Sequence, residues 1–196
     1  IHFQIGKSAQ VNGTNLCLAD AMCDQSTNES GYFTMNPAGS NAGGWEGSPM
    51  RSLLNGSDAT PIAPSNGTLL AALPADLRSV MKGATKYTDN KGSGNNTASA
   101  VTSTQDYLWL LSEYELFGAR TNANSAEQTY QKQYAYYASG NSKFFNRYNS
   151  QSTSTSWWLR SPAVTNSNYY CRINSSGVSN AYYSTTSRGV APACCV

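Results

Sequence analysis

The sequence predicts a single domain assembled from short helices, short strands and long irregular connections. Three observations lead there. A length of 196 residues suits one well-cored domain, since domains run to roughly 100–200 residues. The helix signatures are brief and closed by caps at both ends, and the strand-like runs collect in the C-terminal third. Between them lie polar stretches rich in Gly, Asn, Ser and Thr.

Taken in order, HFQIG and GYFTMN read as short strands. GGWEGSPMRSLLNG holds a compact helix signal over 49–55: Ser48 as N-cap, Pro49 in the first turn, Met50, Leu53 and Leu54 at helical spacing, and Gly56 as the stop. In LLAALPADLRSVMKG, Pro74 breaks the helix and restarts it, with Leu73, Leu77, Val80 and Met81 expected on one core-facing side. The tract from 83 to 106 carries too little apolar surface to fold by itself and reads as a long loop. YLWLL, 107–111, suits a buried strand. Ser112 with Glu115 forms the S-x-x-E capping box of a following helix, and Ser125 with Gln128 opens another. In that second helix Tyr130, Tyr134 and Tyr137 recur at helical spacing, which predicts packing against the body, and Gly140 ends it.

TSWWLRS is strand-like, YYCRI and AYYST form a hairpin around Ser175, Ser176 and Gly177, and GVAPACCV supplies a last strand. Alternation places Tyr169 with Cys171 on one face of the hairpin and Tyr170 with Arg172 on the other, of which only one is expected to be core. Trp157 and Trp158 point to opposite faces, so at least one is core, and packing explains Trp158 better than a ligand platform does. Arg160 is expected to pin backbone carbonyls or a carboxylate with its planar fork.

Composition excludes several functions. Charged residues make up 12% of the chain and the net charge is +2, against about 25% charged in an average soluble domain. The thirteen basic residues are scattered among eleven acidic ones, whereas a nucleic-acid or anionic-lipid binder gathers them into a stripe. No apolar run reaches the roughly 18 residues of a membrane span, so no membrane insertion is expected. The chain opens on Ile1, as a trimmed chain or the C-terminal domain of a longer protein would. Cys17, Cys23, Cys171, Cys194 and Cys195 are odd in number and irregular in spacing. They predict neither a zinc site nor a full disulfide framework; they leave room for one bridge, and free buried thiols explain them best.

Catalysis finds little purchase. The one histidine, His2, lies at an end expected to fray, leaving a Ser or Cys nucleophile without a base. Glu113 and Glu115 have a capping role that accounts for them. TDNKGSGNN lacks the ligand order of a calcium loop. Neither a cofactor nor a metal site nor an enzyme activity is expected.

The order GGWEGSPMRSLLN, LP-x-x-L, YLWLLSEYELFG, WWLRSP, RGVAPA resembles a domain family common in gut bacteria and their phages. That family is similar to the C-type lectin fold, in the branch shared with formylglycine-generating enzymes and the variable proteins of diversity-generating retroelements. The likeness runs from about residue 43 to the C-terminus, and WWLRSP and RGVAPA carry most of its specificity. It implies an α+β body with short helices, a small antiparallel sheet and long loops, as one C-type-lectin-like domain over 1–196. It also implies that 160–190 is a variable binding region, because adenine-directed mutagenesis rewrites the segment between such motifs. Asn, Ser and Tyr fill fourteen of the twenty-three positions from 166 to 188, with no carboxylate among them. These are residues that replacing adenines in an AAC codon reaches.

The chemistry of those residues points the same way. Tyrosine gives large contact area with few rotors, and Ser and Asn give adaptable hydrogen bonds. Four tyrosines at about 150–250 Å² each give area on the scale of one partner's ~800 Å² in a standard interface, sufficient for a binding site. The candidate ligand-binding residues are Asn166, Asn168, Tyr169, Tyr170, Arg172, Asn174, Asn180, Tyr182, Tyr183 and Ser184. The expected partner is a protein or glycan receptor on a host or neighbouring cell, met from a phage tail or a bacterial surface. A homo-oligomer would multiply a weak contact by avidity. The rival readings are a fixed glycan- or protein-binding surface, a structural hairpin held by cross-strand pairs, and a degenerate oxidase of the formylglycine-generating type. The spacing of Cys171 and the adjacent Cys194 and Cys195 departs from the copper-binding pair that such an oxidase uses.

Overall fold

The computed structural model describes residues 1–4, 33–56, 60–146 and 154–196. Cys17, Cys23 and the outer parts of HFQIG and GYFTMN lie outside the described residues. Among those described, the fold is α+β, with six short helices and four small antiparallel sheets. No helix among them is long and apolar enough to cross a membrane.

The first helix, α1 (Pro49–Asn55), forms as its caps require. Ser48 Oγ accepts from the Arg51 N–H at 3.1 Å, and Gly56, at φ +78°, donates its N–H to the Ser52 carbonyl. Pro74 separates α2 (Leu69–Ala72) from α3 (Ala75–Val80). The expected common face does not survive, because Val80 is 54% exposed while Leu73 and Met81 are buried. Met81 leaves the helix in extended conformation and turns inward from beyond its end. Residues 33–36 of GYFTMN form no strand, although Met35 enters the core.

The polar tract after residue 83 is not one long loop. β2 (Ala84–Asp89) and β3 (Val101–Asp106) pair antiparallel along their full length, from Ala84 opposite Asp106 to Asp89 opposite Val101. Buried polar groups hold this hairpin where apolar ones are scarce. Asp106 accepts from Trp45 Nε1 at 3.0 Å, Arg51 Nε at 2.6 Å and Thr104 Oγ1 at 2.6 Å. A buried carboxylate with three donors is tolerable, whereas the same group unpaired would be expelled. At the far end Gly92, at φ +63°, lies so close to Asn41 that an added Cβ would stand 1.8 Å from its carbonyl oxygen.

YLWLL is buried from Leu108 to Leu111, but it forms only an isolated bridge, Trp109 with Ala193, rather than a strand. The Ser112–Glu115 capping box forms at the head of α4 (Glu113–Phe117). The second expected box does not. Ser125 turns its N–H and hydroxyl to Asn96 Oδ1, and the expected helix splits into α5 (Glu127–Tyr130) and α6 (Ala135–Ala138). Between them the chain is held open by the Gln131 and Gln133 amides, which donate to the Tyr87 and Leu116 carbonyls. Tyr137 is consequently buried, but Tyr130 is half exposed and stacks on Tyr87 with centroids 4.6 Å apart.

The remaining strands are β4 (Phe145–Asn146) paired with β5 (Ser154–Thr155), then β6 (Trp157–Pro162), β7 (Tyr169–Ile173) and β8 (Ser179–Tyr183) in one antiparallel sheet. The last, β9 (Ala193–Cys195), pairs with β1 (His2–Gln4). β6 is buried along its whole length. Trp157 and Trp158 are both core, their indole N–H groups donating to the Lys143 and Phe33 carbonyls. Cys171, Cys194 and Cys195 are free thiols, the first two buried.

Candidate functional site

The β7–β8 hairpin is built from its turn upward. Asn174 Oδ1 accepts from the N–H groups of Ser176 and Val178, and Gly177 at φ +78° completes the reversal. This sets the register: Tyr169 opposite Tyr183, Tyr170 opposite Tyr182, Arg172 opposite Asn180. Asn174 thus serves the turn.

Side-chain parity does not decide which residues face out. Tyr170, Cys171 and Ile173 are all 0% exposed although they alternate in direction, so β7 is covered on both faces. Position in the sheet decides instead: exposure is found on the edge strand β8 and at the start of β7. Tyr182 and Tyr183 are 36% and 49% exposed, and Tyr169 is half-buried. Two predicted binding residues must therefore be withdrawn. Tyr170 is sealed inside, its hydroxyl donating to the Gly44 carbonyl at 2.8 Å, and burial pushes its pKa well up. Ser184 is also buried, between the Asn168 carbonyl that its N–H reaches and the Asn36 N–H that its carbonyl accepts.

The remaining positions divide by role. Asn166 Oδ1 accepts from the Asn168 N–H, so it shapes the approach to β7, while Asn168 and Asn180 are exposed. Tyr169, Tyr182 and Tyr183 form a ring cluster: Tyr183 stands edge-on to Tyr169 at 4.5 Å and to Tyr182 at 5.8 Å. Arg172 lies 4.7 Å from the Tyr182 ring centroid. Arg188 lies 4.6 Å from the same centroid. Burial lowers the pKa of both guanidinium groups, and the neighbouring Arg188 charge adds to this at Arg172.

Two contributors went unnoticed in the sequence. Arg188 lies at the head of RGVAPA, whose motif value masked its place beside the tyrosines. Asn41 has no sequence signature at all, yet its buried amide donates to the Ala163, Asn166 and Tyr169 carbonyls at 3.0, 3.0 and 2.8 Å. Its Oδ1 accepts from the Ser93 N–H. One side chain thereby ties the chain entering β7 to the β2–β3 hairpin.

A second polar concavity, of about 310 Å³, is lined by His2, Lys86, Tyr130, Tyr134 and Arg160 among others. His2 is not at a fraying end. It sits in β1, packs edge-on against Trp109 at 5.2 Å, and its Nδ1 lies 2.8 Å from the Tyr134 hydroxyl. Lys86 Nζ donates to Tyr134 at 3.1 Å and to Glu115 at 3.2 Å. Burial lowers the Lys86 pKa although Glu115 opposes the change. Arg160 pins both a carboxylate and carbonyls, with Nη1 on Glu115 Oε2 at 2.5 Å and on the Leu110 carbonyl at 2.8 Å, and Nε on Thr88 Oγ1 at 2.7 Å. Burial alone would raise the Glu115 pKa, but the Arg160 and Lys86 charges hold it at about 2. Lys86, Glu115 and Arg160 thus neutralise one another inside the fold.

Cys195 lies opposite His2 in the β1–β9 register, but its thiol contacts the Val196 carbonyl while the imidazole Nδ1 is engaged by Tyr134. Glu113 is buried and accepts from the Asn122 and Ala123 N–H groups and from the Ser179 hydroxyl. Among the described residues no group of three or more His, Cys, Asp or Glu is placed to hold a metal ion.

No curated protein and no solved structure matches the chain. Residues 13–196 match the model of a domain of unknown function, DUF6273, and the chain belongs to that family.

Proposed function

We propose that this domain is a recognition module whose β7–β8 hairpin presents a variable Tyr, Asn and Arg face to a receptor. The face would work from a phage tail or a bacterial surface, on the C-type-lectin-like scaffold that the WWLRSP and RGVAPA motifs suggest. One observation carries this reading: the tyrosine cluster lies at the rim of a hairpin whose neighbours are locked. WWLRSP is buried over its whole length, and Gly189 to Ala193 are buried as well. Between these fixed segments, Tyr182, Tyr183 and Asn180 lie on an edge strand where side chains can change without opening the core. A rigid frame around replaceable aromatic residues is the arrangement that binding loops use.

Replacing Asn168, Tyr169, Asn180, Tyr182 and Tyr183 together by Ser, Asn and Asp is expected to leave a cooperative thermal transition, and collapse of that transition would sink the proposal. The coding DNA adds an independent check. Diversification requires a nearby imperfect repeat of codons 160–190 that differs almost only at adenines. Without it, the face is a fixed one.

A further inference from the structure

The tyrosine face carries positive charge that nothing described on the chain neutralises. Arg172 makes one side-chain hydrogen bond, from Nη1 to Ser156 Oγ at 2.7 Å, and Arg188 rests against the Tyr182 ring. The Nε atoms of both are buried without a hydrogen-bond partner. Among the described residues, ion pairs form at Arg51, Lys86 and Arg160, and neither Arg172 nor Arg188 has a carboxylate. The stretch from 166 to 188 contains no Asp or Glu at all. Two guanidinium groups are thus held against one ring with no carboxylate paired to them among the described residues.

We propose that this face takes an acidic segment of a protein partner, whose Asp or Glu carboxylates meet Arg172 and Arg188 while its side chains pack beside Tyr182 and Tyr183. The inference rests on the reading of the hairpin as a recognition surface. Arginine matches a carboxylate with two parallel N–H donors, and Tyr with Arg are the residues that dominate protein interfaces. An acidic polysaccharide fits less well. A sugar stacks flat on an open ring, but the Tyr182 ring is already engaged by two cations, and Tyr183 stands at 70° and 88° to its neighbours rather than extending a platform.

The test is selection of peptides from a random displayed library on the intact chain, with hyaluronan as the competing uronic-acid polymer. Selected peptides are expected to be enriched in Asp and Glu. The Arg172→Gln, Arg188→Gln double variant, with its melting temperature checked, is expected to bind them about tenfold more weakly. Should that variant unfold, the wild-type chain still decides. Exchanging Asp and Glu for Asn and Gln in a selected peptide, or raising the salt, must weaken its binding. Peptides chosen without acidic enrichment, yet lost on replacing Tyr182 and Tyr183 by Ala, overturn the acidic preference and leave the recognition face standing. Stronger binding of hyaluronan than of any peptide overturns the protein partner. Peptides indifferent to the Tyr replacements, or no binding of peptide or polysaccharide, overturn both the preference and the face.

Discussion

Arg160 and Arg172 lie on neighbouring strands of one sheet and have opposite fates. Arg160 is fully buried and spends its donors on Glu115, Thr88 and the Leu110 carbonyl. Arg172 is half-buried, makes one side-chain hydrogen bond, and leaves Nε unpartnered against Tyr182. An ion taken fully out of water costs several kcal/mol unless it is paired, so the interior position admits only a closed network. At the rim the rest of the guanidinium stays partly in contact with solvent, so one unpartnered N–H costs less than a stranded buried ion, and the incomplete arrangement persists. The difference separates charge that holds the scaffold from charge available to a partner.

The sharpest way to break that comparison is to remove each arginine. Arg160→Met strands the buried Glu115 carboxylate and is expected to cost about 3–5 kcal/mol in urea denaturation. Arg172→Met is expected to cost about 1 kcal/mol or less. Equal losses would erase the distinction. Asn41→Ala takes a donor from the buried bond to the Ala163 carbonyl and from the part-buried bonds to Asn166 and Tyr169, and about 1–3 kcal/mol should be lost.

Acid titration sharpens the scaffold side. Glu115 is held at about 2 against its ordinary 4.5, so the stability it contributes is in place above 4.5 and drains as pH falls toward 2. Glu127 has the opposite sign. Burial outweighs its donors, the Asp89 N–H, Ser161 and Gln131, and raises its pKa to about 7. Its contribution is complete below 4.5 and is lost as pH rises through 7. Urea midpoints measured across pH should therefore fall on both limbs. Glu115→Gln should flatten the acid limb, Glu127→Gln the limb from 4.5 to 7, and Arg172→Gln neither. The smallest expected effect is Tyr182→Phe, which keeps the ring under both guanidinium groups and should change stability by no more than about 0.5 kcal/mol.

Much of the frame was legible before any fold was known. The Ser48 cap, the break at Pro74, the Ser112–Glu115 box and the 169–183 hairpin each depend on residues a few positions apart, and each forms. The failures share one cause. β2 and β3 look like loop because Asp106 is paid for by Trp45 and Arg51, which lie 61 and 55 positions away. The second helix breaks where Gln131 finds the Tyr87 carbonyl, 44 positions back. Within the candidate site, composition drew in Tyr170 together with Tyr182 and Tyr183, and alternation could not separate them, because parity cannot report that a central strand is covered on both sides.

By itself, then, the order of residues determined the caps, the turns and a carboxylate-free stretch rich in tyrosine, since short-range sterics and composition suffice for these. Only the tertiary structure decided which tyrosines reach solvent and which arginines are neutralised. Both outcomes turn on partners such as Glu115 for Arg160 and Gly44 for Tyr170, set 45 and 126 positions away. Distances of that kind close only when the whole chain packs.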